Sequence, residues 1–264
     1  MVKVSKAIIP SIFTVLNMFF GFYAVISAAK GNFQLAVWLI FAAAVMDALD
    51  GKIARWANAS SEFGVEYDSL ADVISFCFAP SYFIYASYFN NWGIVGIFIS
   101  FAPLLFGSLR LARFNIQLEG FDKSHFTGLP SPAAAVAISS YWLFEKEFFG
   151  GQPHFKIYMF VVLAVSFLMI SNIRYEIFPR LKFDGTKTQF FKVIGVYLGI
   201  FVLFLFPSKS LFLLSALYVM VGIGSVLYRN FLIIMKKDAP KKQKANHKSR
   251  KRGNSNESNS KNNP

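Results

Sequence analysis

Apolar residues run almost without interruption from residue 8 to residue 235, divided into segments of roughly bilayer length. Chains of this kind fold in lipid, because a stretch of about 20 apolar residues matches the hydrocarbon core. Over 264 residues, 55% are hydrophobic, 18% aromatic and 16% charged, which is not a soluble globular composition. A spanning segment must satisfy its own backbone polar groups, and helices do so. The expected fold class is therefore all-α, a polytopic membrane helical bundle of about eight transmembrane helices. The spans are read at 8–29, 33–57, 64–89, 92–115, 131–148, 155–173, 189–206 and 210–235. The first has Lys3 and Lys6 ahead of it, but its apolar stretch exceeds the roughly 7–15 residues of a signal-peptide core. The single cysteine, Cys77, excludes a disulfide framework and a cysteine-based zinc site.

The net charge of +13 is unevenly placed, with eleven of the 27 Lys and Arg lying from Arg229 onward. With the N-terminus in the cytoplasm, 23 of these cations fall on the cytoplasmic side and four opposite: Lys30, Lys146, Lys156 and Lys209. Both termini are then expected in the cytoplasm of a multi-pass protein of the cell (inner) membrane. Residues 1–235 are expected to form the transmembrane domain, and 236–264 a disordered basic tail. The tail reads either as solvated chain or as a segment drawn to anionic lipid. It lacks the aromatic interleaving of a nucleic-acid binder, so no nucleic acid is expected as a partner. Glu145 and Glu147, on the far side, are expected in solvent.

Within this apolar chain, four carboxylates stand at fixed intervals: Asp47-x-x-Asp50-Gly51-x-x-Ala54-Arg55, then Gly64-x-x-x-Asp68-x-x-x-Asp72. At 3.6 residues per turn, Asp47, Asp50, Gly51 and Ala54 share one helix face, and Gly64, Asp68 and Asp72 share another. If the two helices are antiparallel neighbours, the carboxylates converge across a groove, and the small residues leave room for a ligand. Converging carboxylates repel unless a cation lies between them, and one arginine does not balance four, so divalent metal is the simplest partner. Two ions roughly 3.5–4 Å apart are a common device for holding a pyrophosphate in line for displacement. Solvated charges at helix ends are the plainer alternative, but ionisable groups at membrane depth are costly and usually functional. A transporter would need acids along a path across the bilayer, whereas these cluster at one end of two spans.

The pattern resembles the signature of the CDP-alcohol phosphatidyltransferase family, and every fixed position matches: Asp47, Asp50, Gly51, Ala54, Arg55, Gly64, Asp68 and Asp72. The resemblance implies a six-helix core, two divalent ions (Mg²⁺ or Mn²⁺) and a CDP-lipid donor. It also implies a homodimer. By position, Asp47, Asp50, Asp68 and Asp72 would ligate metal, and Asp72 would be the general base. Pro10, Gly51, Ala54, Arg55, Ser61 and Gly64 would hold the CDP-lipid. Relatives commonly read Pro-Asn where this chain has Pro10-Ser11, so Ser11 departs from the pattern.

Three further patches resemble the branch of the family that takes serine: Arg110-Leu-Ala-Arg113-Phe-Asn115, Gly128-Leu-Pro-Ser131-Pro132-Ala-Ala134 and Ser171-Asn172-Ile-Arg174-Tyr175. The partners implied are CDP-diacylglycerol, L-serine and membrane lipid, with glycerol 3-phosphate or an inositol phosphate as alternative acceptors. Arg110, Arg113 and Arg174 are candidates for the acceptor's carboxylate, or else ordinary positive-inside anchors. Thr14 and Asn17 on the first span either satisfy helix backbone or reach the site, Asn17 as an acceptor contact. Gly195-x-x-x-Gly199 is either a helix-packing pair or two small residues.

Overall fold

The computed structural model describes residues 11–57, 62–119, 128–150, 152–173, 175, 194–195, 198–199 and 201–238. Seven named helices account for most of them: α1 (Ile12–Ala29), α2 (Phe33–Ala57), α3 (Glu62–Phe89), α4 (Gly93–Glu119), α5 (Ser131–Phe148), α6 (Phe155–Ile170) and α7 (Pro207–Asp238). Helical residues at 194–195, 198–199 and 201–205 are described within the seventh expected span. Five helices are long and apolar enough to cross a membrane: α1, the Phe33–Ile53 part of α2, α3, the Gly93–Ile116 part of α4 and the Pro207–Ser225 part of α7. α6 is apolar but has only 16 residues. No strand occurs among the described residues. Among the described residues, those up to Gly222 form one compact unit and those from Ile223 a second.

α1 begins where the Ser11 side chain accepts the Phe13 N–H at 3.1 Å, a local cap that explains a serine at this position. It ends at Ala29, and Gly31, whose φ of 75° suits glycine, forms the tight turn that returns the chain into α2. α1 and α2 lie close because alanines face each other: Ala24, Ala28, Ala36 and Ala43 are all buried. Around them gather Leu39, Ile40, Phe76 and Ala79 in one cluster, and Val37, Phe83, Leu143 and Leu211 in another. Small residues at such contacts let helix backbones approach, which matters where lipid offers no hydrophobic drive.

α3 is not uniformly α-helical. It widens to π geometry over Val73–Phe78, immediately after Asp72, and again over Tyr85–Phe89. The Ala79 N–H reaches back to the Ile74 carbonyl, just ahead of Pro80, whose ring would crowd a regular turn.

The far end of the bundle corrects one expectation. Glu145 is not in solvent but buried, with 3% of its surface exposed. It accepts a hydrogen bond from the Tyr88 hydroxyl, and its Oε1 accepts the His154 backbone N–H at 2.6 Å and pairs with His154 Nδ1 at 3.1 Å. Tyr158 packs beneath, its ring 4.0 Å from Tyr88 and 5.0 Å from Tyr141. A buried acid is tolerable when its oxygens are satisfied in this way. Glu147 is exposed, as expected. Gly195 has open space beside it, and Gly199 makes only ordinary contact with Leu214, so the pair behaves as two small residues.

Candidate functional site

Asp47 and Asp50 lie on the second half of α2, and Asp68 and Asp72 on the first half of α3. One carboxylate oxygen from each of Asp47, Asp68 and Asp72 lies within 4.8 Å of the other two. α1 packs along both α2 and α3, and α2 also packs against the Val73–Ile84 part of α3, which sets the acid-bearing faces of the two helices toward one another. At an effective dielectric of about 20, two unit negative charges at that spacing repel by about 3 kcal/mol. Asp68 Oδ1 is buried and has no hydrogen-bond partner among the described residues. Hard carboxylate oxygens, crowded and partly unsatisfied, are a donor set suited to a hard divalent cation.

Asp50 does not join that trio. Its Oδ2 accepts the hydroxyl of Thr14 on α1. One turn further along α1, Asn17 Nδ2 donates to Asp72 Oδ1 at 3.2 Å. Thr14 and Asn17 therefore do not serve their own helix backbone: they grip two of the four aspartates. The Asn17 carbonyl accepts the Ser75 hydroxyl at 2.8 Å. A turn beyond lies Gly21, where an added Cβ would fall 2.6 Å from the Ser75 Cα. Thr14, Asn17 and Gly21 thus form one stripe on α1 that locks it against α3 at the level of the acids.

Gly51 follows Asp50 on α2 and is exposed, with open space where a side chain would stand. Gly64 is half-buried near the start of α3. Ala54 and Arg55 lie on α2, and only their backbone is described; Pro10, Ser61 and Arg174 lie outside the described residues.

Arg110 and Arg113, three residues apart on α4, have different surroundings. Arg110 Nη1 donates to Ser131 Oγ at 2.8 Å, and its guanidinium lies within electrostatic reach of Asp47 and Asp72. Arg113 is exposed and donates to the Ile170 carbonyl at 3.4 Å and to Asn172 Oδ1 at 3.0 Å. Asn115 pairs with Ser69 on α3: its Nδ2 lies 3.0 Å and its Oδ1 3.2 Å from the Ser69 hydroxyl oxygen. Gly128 has φ of 93°, and its N–H donates to the Ile173 carbonyl at 2.8 Å; a Cβ there would run into the Met169 carbonyl. Leu129 N–H donates to the Leu168 carbonyl at 3.0 Å, so the approach to α5 is fixed on the end of α6 and delivers Ser131 to Arg110.

The sequence profile of the CDP-alcohol phosphatidyltransferase family matches residues 7–171, well over half of the chain and inclusive of the whole acid cluster. The chain belongs to the CDP-alcohol phosphatidyltransferase family. It is 36% identical over 231 residues to a CDP-diacylglycerol–serine O-phosphatidyltransferase of Helicobacter pylori (strain ATCC 700392 / 26695), covering 87% of this chain and 95% of that protein. It is 38% identical over 184 residues to an archaetidylserine synthase of Methanothermobacter thermautotrophicus, covering 68% and 73%. A CDP-diacylglycerol–serine O-phosphatidyltransferase of Mycobacterium leprae is 34% identical over 176 residues, covering 64% and 58%.

For a CDP-alcohol phosphatidyltransferase, the division of the chain is informative. The acids, Arg110 and Ser131 lie inside the stretch that matches the family profile, whereas Tyr175, Tyr218 and Gly222 lie beyond it. The Tyr175 ring is buried in the space left by Gly222, and its centroid lies 5.8 Å from that of Tyr218. Sequence reasoning did not single out Ser75, Tyr218 or Gly222. A glycine in an otherwise bulky apolar run, as at Gly21 and Gly222, was the one available signal of close approach.

Proposed function

We propose that this membrane-embedded transferase moves the phosphatidyl group of CDP-diacylglycerol to the hydroxyl of L-serine, releasing CMP and leaving phosphatidylserine in the bilayer. The observation that carries the reading is the convergence of Asp47, Asp68 and Asp72 to within 4.8 Å in a chain 36% identical, over 87% of its length, to a protein named for this reaction.

Asp47, Asp50, Asp68 and Asp72 would hold two divalent ions, Mg²⁺ or Mn²⁺, which supply charge neutralisation at the pyrophosphate when bound. Asp72 takes the proton of the serine hydroxyl, whose oxygen forms a new bond to the β-phosphorus. The bond from that phosphorus to the bridging oxygen breaks, and the electron pair leaves with CMP. Asn17 fixes one oxygen of Asp72, so the carboxylate presents a set orientation to the incoming hydroxyl. Gly51 and Gly64, with Ala54, leave clearance for the cytidine, Arg55 suits a phosphate oxygen, and Pro10 and Ser61 complete the donor contacts. The site faces the cytoplasm in this reading, where CDP-lipid head group and serine meet, and residues 1–235 form the catalytic domain, working as a homodimer. A lipid-embedded site is required because the acyl chains of the donor stay in the bilayer while its head group reacts.

The test uses purified full-length protein with CDP-diacylglycerol and Mg²⁺ or Mn²⁺, and compares CMP release with L-serine and with glycerol 3-phosphate. Transfer to serine, lost in Asp47→Ala and Asp68→Ala, is expected. Transfer to glycerol 3-phosphate and not to serine would overturn the acceptor; metal-independent CMP release would overturn the role of the acids.

A further inference from the structure

We propose that Arg110, Tyr175 and Tyr218 form a carboxylate-recognition subsite beside the acid cluster, which makes the enzyme select an amino-acid alcohol over an alcohol of similar size without a carboxylate. The proposal rests on the reading of the chain as a serine transferase, and deepens it.

Among the buried donors without a partner in the described residues, one belongs to Arg110 and one to Tyr175. Arg110 uses Nη1 on Ser131, but its Nε is buried without a hydrogen bond. The Tyr175 hydroxyl is likewise buried and unpartnered, on a residue only 6% exposed. A buried polar group left unsatisfied costs about 1–3 kcal/mol, and a ligand that accepts hydrogen bonds removes that cost. Tyr218 connects them: its ring packs against Tyr175, and it lies within electrostatic reach of both Tyr175 and Arg110. The same guanidinium also faces Asp72. A carboxylate cannot approach three aspartates, but it can sit on their cationic flank. In serine the hydroxyl and the carboxylate are on adjacent carbons, so a molecule with its hydroxyl at Asp72 carries its carboxylate toward Arg110.

Arg113 does not share this position. Its guanidinium is exposed and tied to the Ile170 carbonyl and to Asn172, which makes it a brace between α4 and the end of α6. The placement of the tyrosines fits a role in choosing the acceptor. The chemistry common to the family lies within residues 7–171, and Tyr175 and Tyr218 lie outside that stretch, in the part of the chain that the shared reaction does not dictate.

The experiment measures kcat and KM for L-serine, for ethanolamine (serine without its carboxylate) and for CDP-diacylglycerol, in the wild type, Tyr175→Phe, Tyr218→Phe and Arg110→Lys. Removing the Tyr175 hydroxyl should raise KM for serine about tenfold, the effect of one hydrogen bond to a charged group. Arg110→Lys, which keeps the charge and loses the fork, should raise it further. In each variant KM for CDP-diacylglycerol stays at the wild-type value, and the preference for serine over ethanolamine falls by the same factor as serine binding. Equal losses with serine and ethanolamine, a loss confined to kcat, or unchanged KM for serine in both tyrosine variants would overturn the proposal. The wild-type arm separates the two levels of the argument: no transfer to serine contradicts the proposed function, whereas transfer to serine with an undiminished preference in the variants contradicts only the subsite.

Discussion

The side-chain amide of Asn17 on α1 donates to Oδ1 of Asp72 on α3 at 3.2 Å, joining two residues 55 positions apart in the chain. Asn17 is itself wholly buried, and its backbone carbonyl is held by Ser75, so the amide has little freedom to turn. Asp72 is thereby oriented by a helix that carries none of the four aspartates.

Asn17→Ala should lower kcat by about tenfold, the effect expected from losing one hydrogen bond to a charged group. A double-mutant cycle with Asp72→Asn checks the cause. If Asn17 acts through Asp72, adding Asn17→Ala to Asp72→Asn produces no further loss. Multiplying losses would mean that Asn17 acts elsewhere.

Gly21 should tolerate no side chain. Gly21→Val drives a branched side chain into Ser75 and should destabilise the protein by about 1–3 kcal/mol, seen as a lower unfolding temperature in detergent. Because Thr14 and Asn17 are on the same face of α1, the displaced helix should also lose activity. Retained stability would show that α1 can shift without loss.

Crowded carboxylates make a stability prediction that runs against the usual direction. In EDTA, Asp68→Asn removes one charge from the trio and should raise the unfolding temperature above that of the wild type. Mg²⁺ should raise the unfolding temperature of the wild type by linkage and have little effect on the variant. A wild type that is indifferent to Mg²⁺, or a variant less stable than wild type in EDTA, would contradict the electrostatic account.

At the other end of the bundle, Glu145→Ala leaves the Tyr88 hydroxyl and the His154 N–H without their acceptor. The loss should be about 1–3 kcal/mol of stability. Glu145 lies about four turns along α5 from Ser131, so the surviving folded enzyme should keep its KM for serine.

What could be read in the sequence follows from how far each relationship reaches. The faces of Asp47 with Asp50 and of Asp68 with Asp72 are fixed by helical spacing alone, and the helices themselves by the length of the apolar runs. The burial of Glu145 was not legible, because the rule that charges face water fails when a distant hydroxyl, 57 residues earlier, supplies the partner. The same holds for Thr14, whose acceptor is 36 residues away, and for Asn17. Arg110 and Arg113 are alike as sequence; they differ only because Ser131 is brought to one of them and Asn172 to the other.

The most direct test of the central claim is anomalous diffraction from crystals of the full-length protein grown with Mn²⁺ and a CDP-lipid. The account predicts two peaks, roughly 3.5–4 Å apart, between the carboxylates of Asp47, Asp50, Asp68 and Asp72 and against the pyrophosphate. Absence of any peak there, with the aspartates turned away from one another and the nucleotide bound elsewhere, would contradict it.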